Sequence, residues 1–158
     1  MTNEESKTLI AKLAALPTQI EALVTHLSAD QLTQRPLANE WSVAQNVHHL
    51  VDSHMNSYIR CKLIATEQNP LLKPYDQDAW AMFEDASTAD VSVSLSLLKG
   101  LHHRWAQFFS TQSDADWDRT GVHMASGVVT LGGLLKSYVQ HGEDHIDQIK
   151  RTIAAVRS

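Results

Sequence analysis

The sequence has too little cysteine for any covalent or thiolate framework. Cys61 stands alone, which excludes an intramolecular disulfide and any cysteine-rich zinc or iron–sulfur site. Long apolar runs are missing too. No stretch approaches the roughly 18 apolar residues that suggest a membrane span. The opening MTNEESKTLIAKLAALP is polar and charged, without the apolar core of a secretory leader. Positive charge is in deficit: the formal net charge is −5, so duplex nucleic acid is repelled unless a local basic patch intervenes. The basic residues are scattered, with no RNP motif and no finger spacing. These absences lead to the expectation of a cytoplasmic, soluble chain with neither nucleic acid nor membrane as partner.

What is present is ordinary in bulk. Apolar residues make up 43% and charged residues 20% of the 158. That suits one domain spanning 1–158, which can bury roughly two thirds of its unfolded surface. Four helical stretches emerge and no convincing strand pair does, so the expected class is all-α, a four-helix bundle. In the first stretch, Asn3 to Leu27, Leu9, Leu13, Leu16, Ile20, Leu23 and Leu27 recur at helical spacing, and Pro17 should kink or split it. A linker runs from Ser28 to Trp41. Ser42 with Gln45 forms a capping box that opens the second helix, which runs to about Thr66. The stretch Glu67–Asp90 is too long for a plain bundle loop. It reads as a lid or binding loop, or as a connection with a short helix near Asp78–Glu84. The third helix covers about Val91 to Ser110. A polar connection, Thr111–Val129, then contains a short turn around Asp114–Trp117. The fourth helix begins after Thr130 as N-cap and runs to about Val156.

Nine histidines are dispersed along the chain, and histidine is the commonest metal-binding side chain. His141 and His145 are four apart, so they share one face of the fourth helix and can reach one ion. The order H-G-E-D-H is not the H-E-x-x-H of zincins. Gly142 stands where that motif needs its glutamate, and Glu143 points elsewhere. A catalytic zinc site commonly takes three protein ligands, and the second helix offers His48, His49 and His54. His54 lies within the apolar face, as a hydrogen-bonded core residue would, and His48 at its margin. His49 shares a polar stripe with Gln45, Asp52, Ser53, Asn56 and Arg60, which fits a solvated face or a polar cleft. Periodicity alone does not choose.

The chain resembles the DinB-like superfamily of four-helix metal proteins, and within it the putative metal-dependent hydrolases of YfiT type. The resemblance is carried by WSVAQNVHHLVDSHMNSYIRCKL (Trp41–Leu63), NPLLKPYDQDAW (Asn69–Trp80) and HGEDH (His141–His145). It implies an up-down-down-up bundle with Zn²⁺ or Ni²⁺ at one end, commonly as a homodimer. Carried over residue by residue, it implies His49, His141 and His145 as metal ligands.

A three-histidine site leaves an open position. Bound zinc can lower the pKa of water to about 7, which supports hydrolysis of a small-molecule substrate. The same resemblance allows S-transfer of a low-molecular-weight thiol. A metal-stabilised stress-response or binding module without turnover is a third expectation. Asp52, near His49 on the stripe, is the candidate catalytic residue, either accepting a proton or orienting an imidazole. Arg60 reads as a site for an anionic group or as a surface salt bridge. Trp41 reads as a staple before the helix cap, and Cys61 as a small core residue.

Overall fold

The computed structural model describes residues 1–157. Four long helices form the frame: α1 (Asn3–Val24), α3 (Val43–Thr66), α5 (Ser92–Ser110) and α6 (Leu131–Arg157). Between them lie two short helices, α2 (Ala29–Thr33) and α4 (Gln77–Trp80), and three short strands, β1 (Leu71–Leu72), β2 (Thr120–His123) and β3 (Gly127–Thr130).

The termini form where the sequence places caps. The Ser42 side chain accepts from Gln45 N–H while the Gln45 side chain accepts from Ser42 N–H. Thr130 Oγ1 accepts from Gly133 N–H at 2.9 Å and opens α6. The long first stretch is interrupted differently from expectation. Pro17 does not split α1, which is continuous to Val24. The break comes at Ser28, where a second capping box with Gln31 starts α2 inside the expected linker. The short helix expected near Asp78–Glu84 is α4, capped by Asp76, followed by a 3₁₀ turn at Glu84–Ala86. The turn expected at Asp114–Trp117 falls at Asp116–Asp118.

The strands correct the expectation that no pair forms. β2 and β3 are an antiparallel hairpin with Thr120 opposite Thr130 and His123 opposite Gly127, and β1 adds in parallel to β2. Gly127 takes a left-handed conformation (φ 78°) at the hairpin turn, which glycine adopts without a Cβ clash.

Helix directions follow from the cross-contacts. Glu5 pairs with Lys136 and Lys12 with Glu143, so α1 and α6 run parallel. His48 meets Ser94 and His54 meets His102, so α3 and α5 run parallel. Asn46 meets His145 and Arg60 meets Tyr138, so α3 and α6 are antiparallel. Each of α1 and α3 packs against both α5 and α6, which places α1 and α3 on one diagonal. The order along the chain is therefore up, down, down, up. The α3-to-α5 connection must return along the whole bundle, because those neighbours are parallel. A helix of 24 residues is about 36 Å long, which is why residues 67–91 are so many.

Apolar side chains fall into two buried clusters. One holds Leu16, Ile20, Val43, Val47, Leu50, Leu98 and Ile149. The other holds Leu13, Cys61, Ile64, Trp105, Phe109, Leu131 and Leu135. Along every long helix the two clusters are separated by a level that, on α3, α5 and α6, carries histidines.

Candidate metal centre

The Ser42 capping box sets the phase of α3 so that Asn46 and His49 face α6. Gln45, His49, Ser53 and Arg60 of the polar stripe are buried, so it is a cleft and not a solvated face. On α6, His141 and His145 face back. One ring nitrogen from each of His49, His141 and His145 lies within 4.8 Å of the others. His141 Nε2 is 3.3 Å from His49 Nε2 and 3.2 Å from His145 Nε2. Two nitrogens held at zinc–imidazole distance by a tetrahedral ion would be roughly 3.3 Å apart.

The other ring nitrogens have partners. Asn46 Nδ2 donates to Ser42 O at 2.9 Å, which turns Asn46 Oδ1 toward His145. His145 Nδ1 donates to that oxygen at 2.7 Å, so a neutral His145 keeps its Nε2 lone pair free. His49 Nδ1 faces the Tyr75 hydroxyl at 3.4 Å. His141 Nδ1 faces His54 Nε2 at 3.0 Å. Burial pushes His49 and His145 down to about 3 and His141 to about 4, the first two helped by their neighbours' charges. All three are therefore neutral at pH 7. Converging neutral nitrogens that turn lone pairs toward one another are poorly satisfied by each other, and a cation at their centre fits them.

Around this centre the structure adds residues that sequence reasoning had given other roles or none. Trp41 packs on His49 with ring centroids 4.6 Å apart and stacks on His145 at 6.2 Å, so it walls the centre rather than only stapling the helix start. The α3-to-α5 connection crosses the cleft. Gln45 Nε2 donates to Ala81 O at 2.9 Å, and Tyr75 sits over His49. Burial, with Asp52 and Tyr138 as lesser contributors, raises Tyr75 to about 12. Its hydroxyl therefore keeps its proton at neutral pH, and its oxygen accepts from His49 Nδ1–H when His49 presents Nε2 to the centre.

Arg60 is not a surface salt bridge. It is only 7% exposed, and its guanidinium donates to Lys73 O at 2.7 Å and to Tyr138 Oη at 3.4 Å. Asp52 is half-buried and lines a groove with His48, Asp85 and Ser94. Among the described residues no hydrogen bond joins it to the three histidines. Burial, then the Asp85 charge, raises its pKa. His48 is tied to Ser94 Oγ at 2.7 Å and Thr88 O at 3.0 Å. Glu143 points outward to Lys12. Cys61 is buried, and burial pushes its thiol up to about 12, as befits a core residue.

A four-helix bundle with three neutral imidazoles converging across two facing helices defines a class: helical-bundle proteins with a site for one metal ion. The family model of the DinB superfamily matches residues 12–149, and the chain belongs to that superfamily. It is 39% identical to "Putative metal-dependent hydrolase OB0782" of Oceanobacillus iheyensis, covering 89% of this chain and 81% of that protein. It is likewise 39% identical to "Putative metal-dependent hydrolase YfiT" of Bacillus subtilis, covering 94% and 84%. The solved structure of YfiT, described as having an unusual four-helix-bundle topology, superposes with a TM-score of 0.93 at 38% identity, over 96% of this chain and 87% of that one.

Proposed function

We propose that the protein is a metal-dependent hydrolase that holds one divalent ion, Zn²⁺ or Ni²⁺, through His49, His141 and His145. The observation that carries this reading is the meeting of their three ring nitrogens, with Asn46 setting which nitrogen His145 offers. Such an ion supplies Lewis acidity and activates water at neutral pH.

The chain's own residues do the rest. Asn46 and Tyr75 orient His145 and His49. Tyr75 keeps its proton and offers a hydrogen bond at the mouth of the cleft. Arg60 supplies a fixed positive charge further along it, suited to a small-molecule substrate with an anionic group. Asp52 is the acid on the adjacent groove and the proton acceptor in this reading. The family resemblance supports a homodimer, and the composition is the basis for proposing a cytoplasmic one.

Metal content by mass spectrometry, on untagged wild type and His49→Ala purified side by side, tests the centre. About one zinc or nickel per chain is expected in the wild type, and its loss in the variant. A wild type that takes up neither ion on incubation would sink the proposal. Ester and amide panels, run with and without a low-molecular-weight thiol, then separate hydrolysis from thiol S-transfer and from a module without turnover. Asp52→Asn should leave metal content unchanged and lower turnover by about 10²-fold or more if Asp52 accepts the proton.

A further inference from the structure

Behind His141 the hydrogen bonds continue through all four long helices. His141 Nδ1 on α6 meets His54 Nε2 on α3 at 3.0 Å. His54 Nδ1 meets His102 Nε2 on α5 at 2.8 Å. His102 Nδ1 meets the Leu13 carbonyl on α1 at 2.6 Å. His54 and His102 are both 0% exposed. Among the described hydrogen bonds neither meets a carboxylate, so nothing offsets the cost of charging them.

The last contact gives the line a direction. A carbonyl oxygen only accepts, so His102 must carry its proton on Nδ1. A neutral imidazole with Nδ1–H has a bare Nε2, so His54 must donate to it from Nδ1. His54 Nε2 is then bare and accepts from His141 Nδ1–H. That leaves the lone pair of His141 on Nε2, facing His49 and His145. The Leu13 carbonyl is available for a reason written in the sequence. Its helical partner would be the N–H of residue 17, and Pro17 has none. Neighbouring α1 thus continues through its proline while presenting one free acceptor to the core.

We propose that Leu13 C=O, His102 and His54 form a one-way relay that fixes His141 as the Nδ1–H tautomer and presents its Nε2 to the metal. His54 and His102 are positioning residues for the centre. The inference rests on the metal reading for its purpose, but the tautomers are a property of the metal-free chain. In water the neutral histidine ring favours Nε2–H, so three Nδ1–H rings in a row are a distinctive signature.

Long-range ¹H–¹⁵N correlation on metal-free, ¹⁵N-histidine-labelled wild type at pH 7 reads the tautomers directly. Assignments come from His54→Gln and His102→Leu. The expected result is Nδ1–H on His102, His54 and His141. A proton on Nε2 of His141 would overturn the relay. Zinc titration against a chelator dye then reads its consequence. His102→Leu removes the acceptor for His54 and should weaken zinc binding about 10–100-fold. His54→Gln, whose amide can donate to His102 and accept from His141, should stay within a few-fold of wild type. Unchanged tautomer and affinity in His102→Leu would make His102 merely structural and overturn its role. If His102→Leu fails to fold, the wild-type tautomers and the His54→Gln affinity still decide. Three Nδ1–H rings in a wild type that binds no zinc would overturn the metal reading alone.

Discussion

At the scale of single residues, the proposed metal centre depends on groups beyond its three histidines. Asn46 is fully buried and has one arrangement: its amide N–H₂ to Ser42 O, its oxygen to His145 Nδ1. Asn46→Ala leaves the His145 N–H without a buried acceptor. Its zinc affinity should fall about 10–100-fold, measured by competition with a chelator dye, while its circular dichroism stays helical. Equal affinity would show that His145 is held by its Trp41 stack instead. Cys61 gives a second residue-scale expectation. Its thiol is 0% exposed and pushed up to about 12, and the thiolate is the reactive form. Alkylation at pH 8 should be negligible in the native protein and rapid in denaturant. Spacing alone put His141 and His145 on one helix face, and only the family resemblance joined them to His49 as a ligand set. Spacing did not place His49, because a polar stripe looks the same whether water or another helix covers it. Asn46 and His102 act on partners distant in sequence, so no local pattern announces them.

At the scale of elements, capping decides where helices begin and thereby how they face. Ser42 is buried, and its hydroxyl accepts from Gln45 N–H at 3.1 Å. Ser42→Ala should cost about 1 kcal/mol, within the usual 0.5–2 range for a lost cap, read as a shift of the urea midpoint with an unchanged slope. A loss near zero would mean that the packing of Trp41 and Gln45 alone sets the helix start. The same S-x-x-Q pattern occurs at Ser28–Gln31, where it starts α2. That signal was present but lay within what composition marked as linker. The strands were harder to see. Four-residue segments such as Thr120–His123 are too short for alternation to register. The hairpin is held by pairing with β1 from a distant part of the chain.

At the scale of the whole molecule, two apolar clusters enclose a level of neutral histidines, and this makes the fold sensitive to acid. His102 illustrates the sign. Burial lowers it to about 4 in the folded chain, against an unfolded value near 6.5. Between those values the unfolded chain binds the proton and the folded chain does not. Stability is therefore fully present above pH 6.5 and falls as the pH drops toward 4. By linkage, one such histidine costs about 1.4 kcal/mol between pH 7.5 and 5.5. His49, His54, His141 and His145 are shifted in the same direction, mainly by burial, so their contributions share its sign. Urea denaturation of the chelator-treated protein should show a midpoint that falls steeply from pH 7.5 to 5.5. His102→Gln, which cannot titrate there, should show a shallower fall than wild type. A midpoint independent of pH over that range would mean that the folded histidines accept protons as readily as the unfolded ones. That result is incompatible with a dry polar layer between the two clusters.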